Sequence, residues 1–222
     1  MPGTRRRSNT ERRDESQARI LDSAEALFAA RGFNGVSVKD IAKAAQVDTS
    51  LVHYYFASKA GLFTAVLRRH APRVNQTRMD SMAAYARSAG TQMTVEGVLR
   101  AYLEPAFRLA REGGESEQNY MTLIAQISVL TSDALPGVDT TAFDPAIEAF
   151  ISMLQQVRPE ASREDLYWFY HLLTGAITQS WARTGRIDRL SGGLCRSDDF
   201  DTIVEKTVAV FAHGLTVGKT PR

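Results

Sequence analysis

Apolar residues recur every three or four positions in block after block of this chain, and strand-like alternation is absent. The first block spans about Arg13 to Ala30, where Ile20, Leu21, Ala24, Leu27 and Phe28 form one helical stripe. Gly32 follows as a stop, and Gly35 allows the next turn. A shorter pattern begins at Ser37, which can cap a helix with Asp40 three residues on, while Val38, Ile41 and Ala45 mark its apolar face. Gln46 falls in a tight turn and Val47 plugs the space behind it. Asp48 then caps a third helix, held to the core by Leu51 and Val52 and closed by Phe56. Ser58 caps a fourth, carried by Ala60, Leu62, Phe63, Val66 and Leu67 towards Ala89, with a kink or break expected near His70 because Pro72 follows. Beyond Gly90, helices are expected over about 94–111, 117–132, 144–157, 162–184 and 198–217. Gly113–Gly114, Pro136–Gly137, Pro159 and Gly192–Gly193 separate them. The pattern predicts an all-α chain of about nine helices. Its expected parts are a basic disordered arm over 1–12, a three-helix head over 13–59, a larger helical domain over 60–218 and a tail over 219–222.

Residues 37–59, SVKDIAKAAQVDTSLVHYYFASK, concentrate the functional information. Two short helices across a tight turn make a helix-turn-helix, whose second helix enters the major groove of DNA. Thr49, Ser50, His53 and Tyr54 remain near its exposed side, with hydrogen-bonding tips suited to base edges and phosphates. Lys59 lies in the first turn of the next helix, against the helix dipole, a placement that favours a nearby phosphate.

Charge supports that reading. The net charge is only +2, but residues 1–70 hold 12 Lys and Arg against 7 Asp and Glu. The excess of positive charge therefore collects at the helix-turn-helix end. Arg5, Arg6, Arg7, Arg12 and Arg13 suit either a solvated tail or an arm that tracks phosphates. At 222 residues and 44% hydrophobic, the chain has ample core for one large domain or two small ones. No apolar run reaches membrane-spanning length, and the first residues lack the apolar core of a signal peptide, so no membrane association and a cytoplasmic location are expected. The single cysteine, Cys195, permits no internal disulfide and offers no cysteine pair to a zinc ion.

The segment from Arg19 to Val66 resembles the DNA-binding domain of the TetR family of bacterial transcriptional regulators. The resemblance rests on ILDSAEALFAARGF, SVKDIAKAAQV and SLVHYYFASKAGLF. It departs at Gln46, where the family usually has Gly, at Asp48 for the usual Ser, and at His53 for the usual Tyr. It implies that Thr49, Ser50 and Tyr54 approach bases, that Lys39 reaches a base or phosphate, and that Ser37, His53, Tyr55 and Lys59 hold phosphates. It also implies a dimer formed by the last two long helices, for which the candidate residues are Phe169, Leu173, Ile177 and Trp181 with Ile203, Val208 and Phe211. An effector pocket is implied between the C-terminal helices, with Tyr85, Phe107, Tyr120, Met121, Phe150 and Trp168 as candidate walls. HYYFASKAGLFTAVLRRHAPRVNQTRM and LEPAFRLAR are further similar to a branch of the family that responds to fatty acids and acyl-CoA.

Signs of an enzyme are lacking. There is no P-loop, dinucleotide fingerprint or nucleophile elbow, and the four histidines show no metal-ligand spacing. No cofactor and no metal are expected. The sequence thus describes a homodimeric repressor of a palindromic DNA operator, released by a small hydrophobic effector. An activator of the same architecture is the alternative, or a helical small-molecule-binding or enzymatic protein with an incidental helix-turn-helix.

Overall fold

A computed structural model describes residues 9–130 and 132–217. Among them lie ten α-helices and no strand: α1 (Asn9–Arg31), α2 (Val38–Ala44), α3 (Thr49–Phe56), α4 (Lys59–Ala89), α5 (Val95–Glu112), α6 (Glu115–Ser128), α7 (Asp144–Val157), α8 (Arg163–Trp181), α9 (Arg186–Leu190) and α10 (Phe200–Val217). The five-residue α9 has too few turns to leave a periodic trace in the sequence. Helix α1 begins four residues earlier than its apolar stripe suggested, with Glu11 in its first turn as the dipole favours. Residues 9–12 of the expected disordered arm are therefore helical. The rest of that arm and the tail over 219–222 lie outside the described residues.

The chain forms two compact units. One runs up to Arg69 and includes a loop that ends at Asp139; the other comprises His70–Leu130 and the chain from Thr140 onward. In the first, Ile20, Ala24 and Phe28 of α1 are fully buried with Ile41 and Leu62. Phe63 meets Phe28 and Phe33 edge-on, at ring-centroid distances of 4.9 and 5.2 Å, a favoured arrangement for aromatic rings. The loop docks through Asp139, whose N–H donates to Thr64 Oγ1 at 3.2 Å and whose carboxylate pairs with Arg68.

In the second unit α5 is the spine. Val98, Leu99, Leu103 and Ala106 are fully buried on it, with Phe150, Ile151 and Leu154 from α7 and Leu166 and Leu173 from α8. Helix α10 runs along α5, fixed by a two-pronged pairing of Arg100 with Glu205 at 2.5 and 2.7 Å and by Arg111 with Asp201.

Helix α4 starts in the first unit and ends in the second. It is continuous through Pro72, so of the kink or break expected near His70 the break does not occur. Pro72 is exposed, and on that side the carbonyl its ring leaves unpaired can be hydrated.

Candidate DNA-binding surface and effector cavity

Both helices of the helix-turn-helix are set by caps. Ser37 Oγ accepts the Asp40 N–H at 3.2 Å, and Asp40 Oδ2 accepts the Ser37 N–H at 2.9 Å, a complete capping box. Asp48 Oδ1 accepts the Ser50 N–H at 2.7 Å and starts α3. These hydrogen bonds hold both carboxyls below the usual aspartate range, so the caps stay charged well into acid. Between the helices Gln46 takes a left-handed φ of 55°, which explains why glycine is usual there. At the other end of α3, a Cβ at Gly61 would lie 2.2 Å from the Phe56 carbonyl oxygen, so only glycine admits this close return of the chain.

Val52 and Phe56 bury the inner side of α3, leaving Ser50, His53 and Tyr54 exposed and Thr49 and Tyr55 half-buried. Tyr54 is 73% exposed although it is a large aromatic. Lys39 and Lys43 are exposed on α2.

Three residues expected on phosphates have other partners: His53, whose Nδ1 lies 3.3 Å from the Ala57 carbonyl oxygen, Lys59 and Ser37. Lys59 Nζ donates to the carbonyls of Phe33 at 3.0 Å and Val36 at 3.1 Å, and lies 4.3 Å from the Phe33 ring centroid. It staples α4 to the turn before α2, which resolves its poor fit with the helix dipole. Ser37 commits both of its donors, hydroxyl and N–H, to Asp40. The sequence reading put Arg13 in a basic stretch suited to phosphates but did not place it beside α3, where its guanidinium lies 5.8 Å from the Tyr55 ring. No local pattern could reveal that pairing, because 42 positions separate the two residues.

The candidate effector residues do not converge. Tyr85 accepts the Thr94 N–H at 2.8 Å and covers Gly97, where a Cβ would come within 2.0 Å of its oxygen; it ties the end of α4 to α5. Phe150 is fully buried and stacks on Tyr102, and Tyr120 is buried against His70. Phe107 packs between Trp181 and Phe200. Trp168 is 60% exposed. Met121 borders a cleft of about 430 Å³ whose rim carries Arg183 and Asp188 beside the paired Arg196 and Asp198. A smaller cavity of about 230 Å³ has a different character. Ile124, Ile127, Phe143, Ile147 and Ile177 supply apolar walls, and Arg78, Tyr102, Tyr170, Thr174 and Trp181 supply polar atoms.

Part of the expected dimer stripe turns inward within one protomer. Leu173, Ile177, Trp181 and Val208 are buried within the protomer, and Phe169 packs edge-on against Phe211 at 5.6 Å. Ile203 and Phe211 are half-buried. The outward faces carry Trp168 and Leu172 on α8 and Val210 on α10, each at least 60% exposed.

The fold and this surface define a helix-turn-helix DNA-binding regulator. Comparison with known proteins makes the class specific. A profile described as the bacterial regulatory proteins of the tetR family matches residues 20–66, and one for the tetracyclin repressor-like C-terminal domain matches residues 100–214. The chain belongs to the TetR family of transcriptional regulators. It is 29% identical over 204 residues to the HTH-type transcriptional activator FasR of Mycolicibacterium smegmatis, covering 86% of this chain and 89% of that protein. It is 42% identical over 66 residues to the HTH-type transcriptional repressor Rv3405c of Mycobacterium tuberculosis, covering 30% of this chain and 35% of the other. A TetR-like regulator from Rhodococcus sp. RHA1 shares the fold at a TM-score of 0.61 and 20% identity, over 96% of this chain and all of that one.

Proposed function

We propose that this chain is a dimeric, effector-responsive regulator that binds a palindromic operator and lets go when a small molecule occupies its C-terminal unit. The observation that carries the reading is α3: two side-chain caps fix the helix-turn-helix, and its outer side presents Ser50, His53 and the 73%-exposed Tyr54. Such an edge has little use except against a partner that offers hydrogen bonds. Ser50, Tyr54 and Thr49 approach bases. Lys39, His53, Tyr55 and Arg13 work on phosphates or near them, whereas Lys59 and Ser37 serve the scaffold. Dimerisation uses the outward Trp168, Leu172 and Val210 rather than the residues behind them. The chain then works beside the chromosome, in the cytoplasm.

Effector binding acts by population shift: the ligand must prefer a state in which the two heads no longer fit successive major grooves. Repression follows where the operator overlaps the promoter. Activation is the second reading, favoured by the likeness to an activator over most of both chains. Gel-shift against bulk genomic fragments at a fixed salt concentration tests the core of this proposal. Retention of discrete fragments over excess competitor DNA supports it. Retention of none, or of all fragments equally, removes sequence-specific regulation.

A further inference from the structure

Arg78 of α4 is the one arginine among the described residues that is buried, at 7% exposed. Its guanidinium lies 4.6 Å from the ring centroid of Tyr102 and 5.9 Å from that of Trp181. Those ring faces partly compensate the charge. They do not satisfy its N–H donors: Arg78 Nε finds no acceptor among the described residues, and no ion pair joins Arg78 to any described carboxylate. A buried guanidinium without an anion is costly, because it forfeits hydration and gains no countercharge. The nearby indole of Trp181 repeats the pattern, since its Nε1 is buried without an acceptor.

Both side chains line the 230 Å³ cavity. The acidic group on its wall is Asp144, which is exposed at the start of α7. The phenol of Tyr170 cannot serve as the anion, because burial pushes its pKa far above the ordinary value and keeps it protonated. The cavity is therefore lined by a fixed cation, by Trp181 with its orphan N–H, and by the hydroxyl residues Tyr170 and Thr174, over isoleucine and phenylalanine walls. Its volume falls below the roughly 300–1,000 Å³ typical of drug-sized ligands.

We propose that this cavity binds a compact organic carboxylate, with its carboxyl on Arg78 and Trp181 and an aromatic or short aliphatic body on the apolar walls. The planar fork of arginine matches a carboxylate in two places at once. The volume suits a compact body over a long acyl chain. This inference rests on the reading of the C-terminal unit as an effector domain, and it names the effector's chemistry. Because the first turns of α4 belong to the DNA-binding unit, a ligand on Arg78 acts on the helix that both units share.

The test is calorimetric titration of the full-length protein without DNA, so the outcome does not depend on operator binding. The probes are benzoate, phenylacetate and hexanoate, each against its neutral amide, with dodecanoate as the long-chain comparison. At least one compact carboxylate is expected to bind saturably and at least tenfold tighter than its amide. Arg78→Gln should lose at least tenfold of that affinity, and Arg78→Lys should retain part of it. Equal binding of acid and amide overturns the proposal, as does tighter binding of dodecanoate or no binding by any probe. If Arg78→Gln fails to fold, the acid-against-amide ratio on the unaltered protein decides alone. A lower melting temperature with unchanged carboxylate affinity makes Arg78 a packing residue and also overturns it. Failure of all these probes alongside intact operator binding refutes the ligand class and leaves the DNA-binding reading standing.

Discussion

Lys59 shows how far a residue's neighbours in sequence can mislead. A cation in the first turn of a helix opposes the dipole, so sequence logic asks for a phosphate. The fold supplies two carbonyls and an aromatic face instead, from residues 23 and 26 positions away. Lys59→Ala should therefore leave the salt dependence of DNA binding unchanged and cost about 1–3 kcal/mol in urea unfolding, because two carbonyls lose their donor. A salt slope lower by about one unit would restore the phosphate contact. Gln46 is the converse case, since the departure from the family's glycine was visible and its consequence follows. A non-glycine residue at φ 55° pays a left-handed cost of about 1–2 kcal/mol, against a gain of about 0.5–1 from the lower chain entropy of a non-glycine residue. Gln46→Gly should stabilise the protein by about 0.5 kcal/mol, read as a higher urea midpoint. The caps at Ser37 and Asp48 were legible because capping is local: donor and acceptor lie within three residues.

At the scale of the element, periodicity placed the long helices well and their faces less well. Helix α7 begins and ends where the pattern indicated, since Pro145 opens it and Pro159 follows it. Helix α8 reads WFYHLL through its middle, apolar enough on two sides that no hydrophobic stripe says which faces inward. The structure sends Phe169 and Leu173 inward and leaves Trp168 and Leu172 out, a shift of one residue that exchanges core and surface. The same ambiguity scattered the candidate effector walls, because an aromatic on a helix is equally at home in the core. Leu172→Glu should leave the protomer folded, since the side chain is 63% exposed, and weaken self-association at least tenfold. Light scattering after size exclusion gives the answer directly. An unchanged dimer places the interface elsewhere, and an unfolded protomer contradicts the exposure.

For the whole molecule, the proposed dimer follows from a simple limitation. One eight-residue recognition helix reads few base pairs, so specificity requires two heads spaced about one helical turn of DNA apart, roughly 34–36 Å. The sequence announced the head through closely spaced motifs. Arg78 and its cavity went unseen because their parts come from α4, α5, α6, α7 and α8 and meet only in the folded unit. The measurement that bears most directly on the account is selection of bound duplexes from a random library at one stated salt concentration, with the unaltered protein and with Tyr54→Ala. The expected result is a palindrome of two half-sites about 10 base pairs apart centre to centre, whose consensus weakens at particular bases in the variant. Recovery of no motif, or an identical motif from both proteins, would contradict base reading by α3.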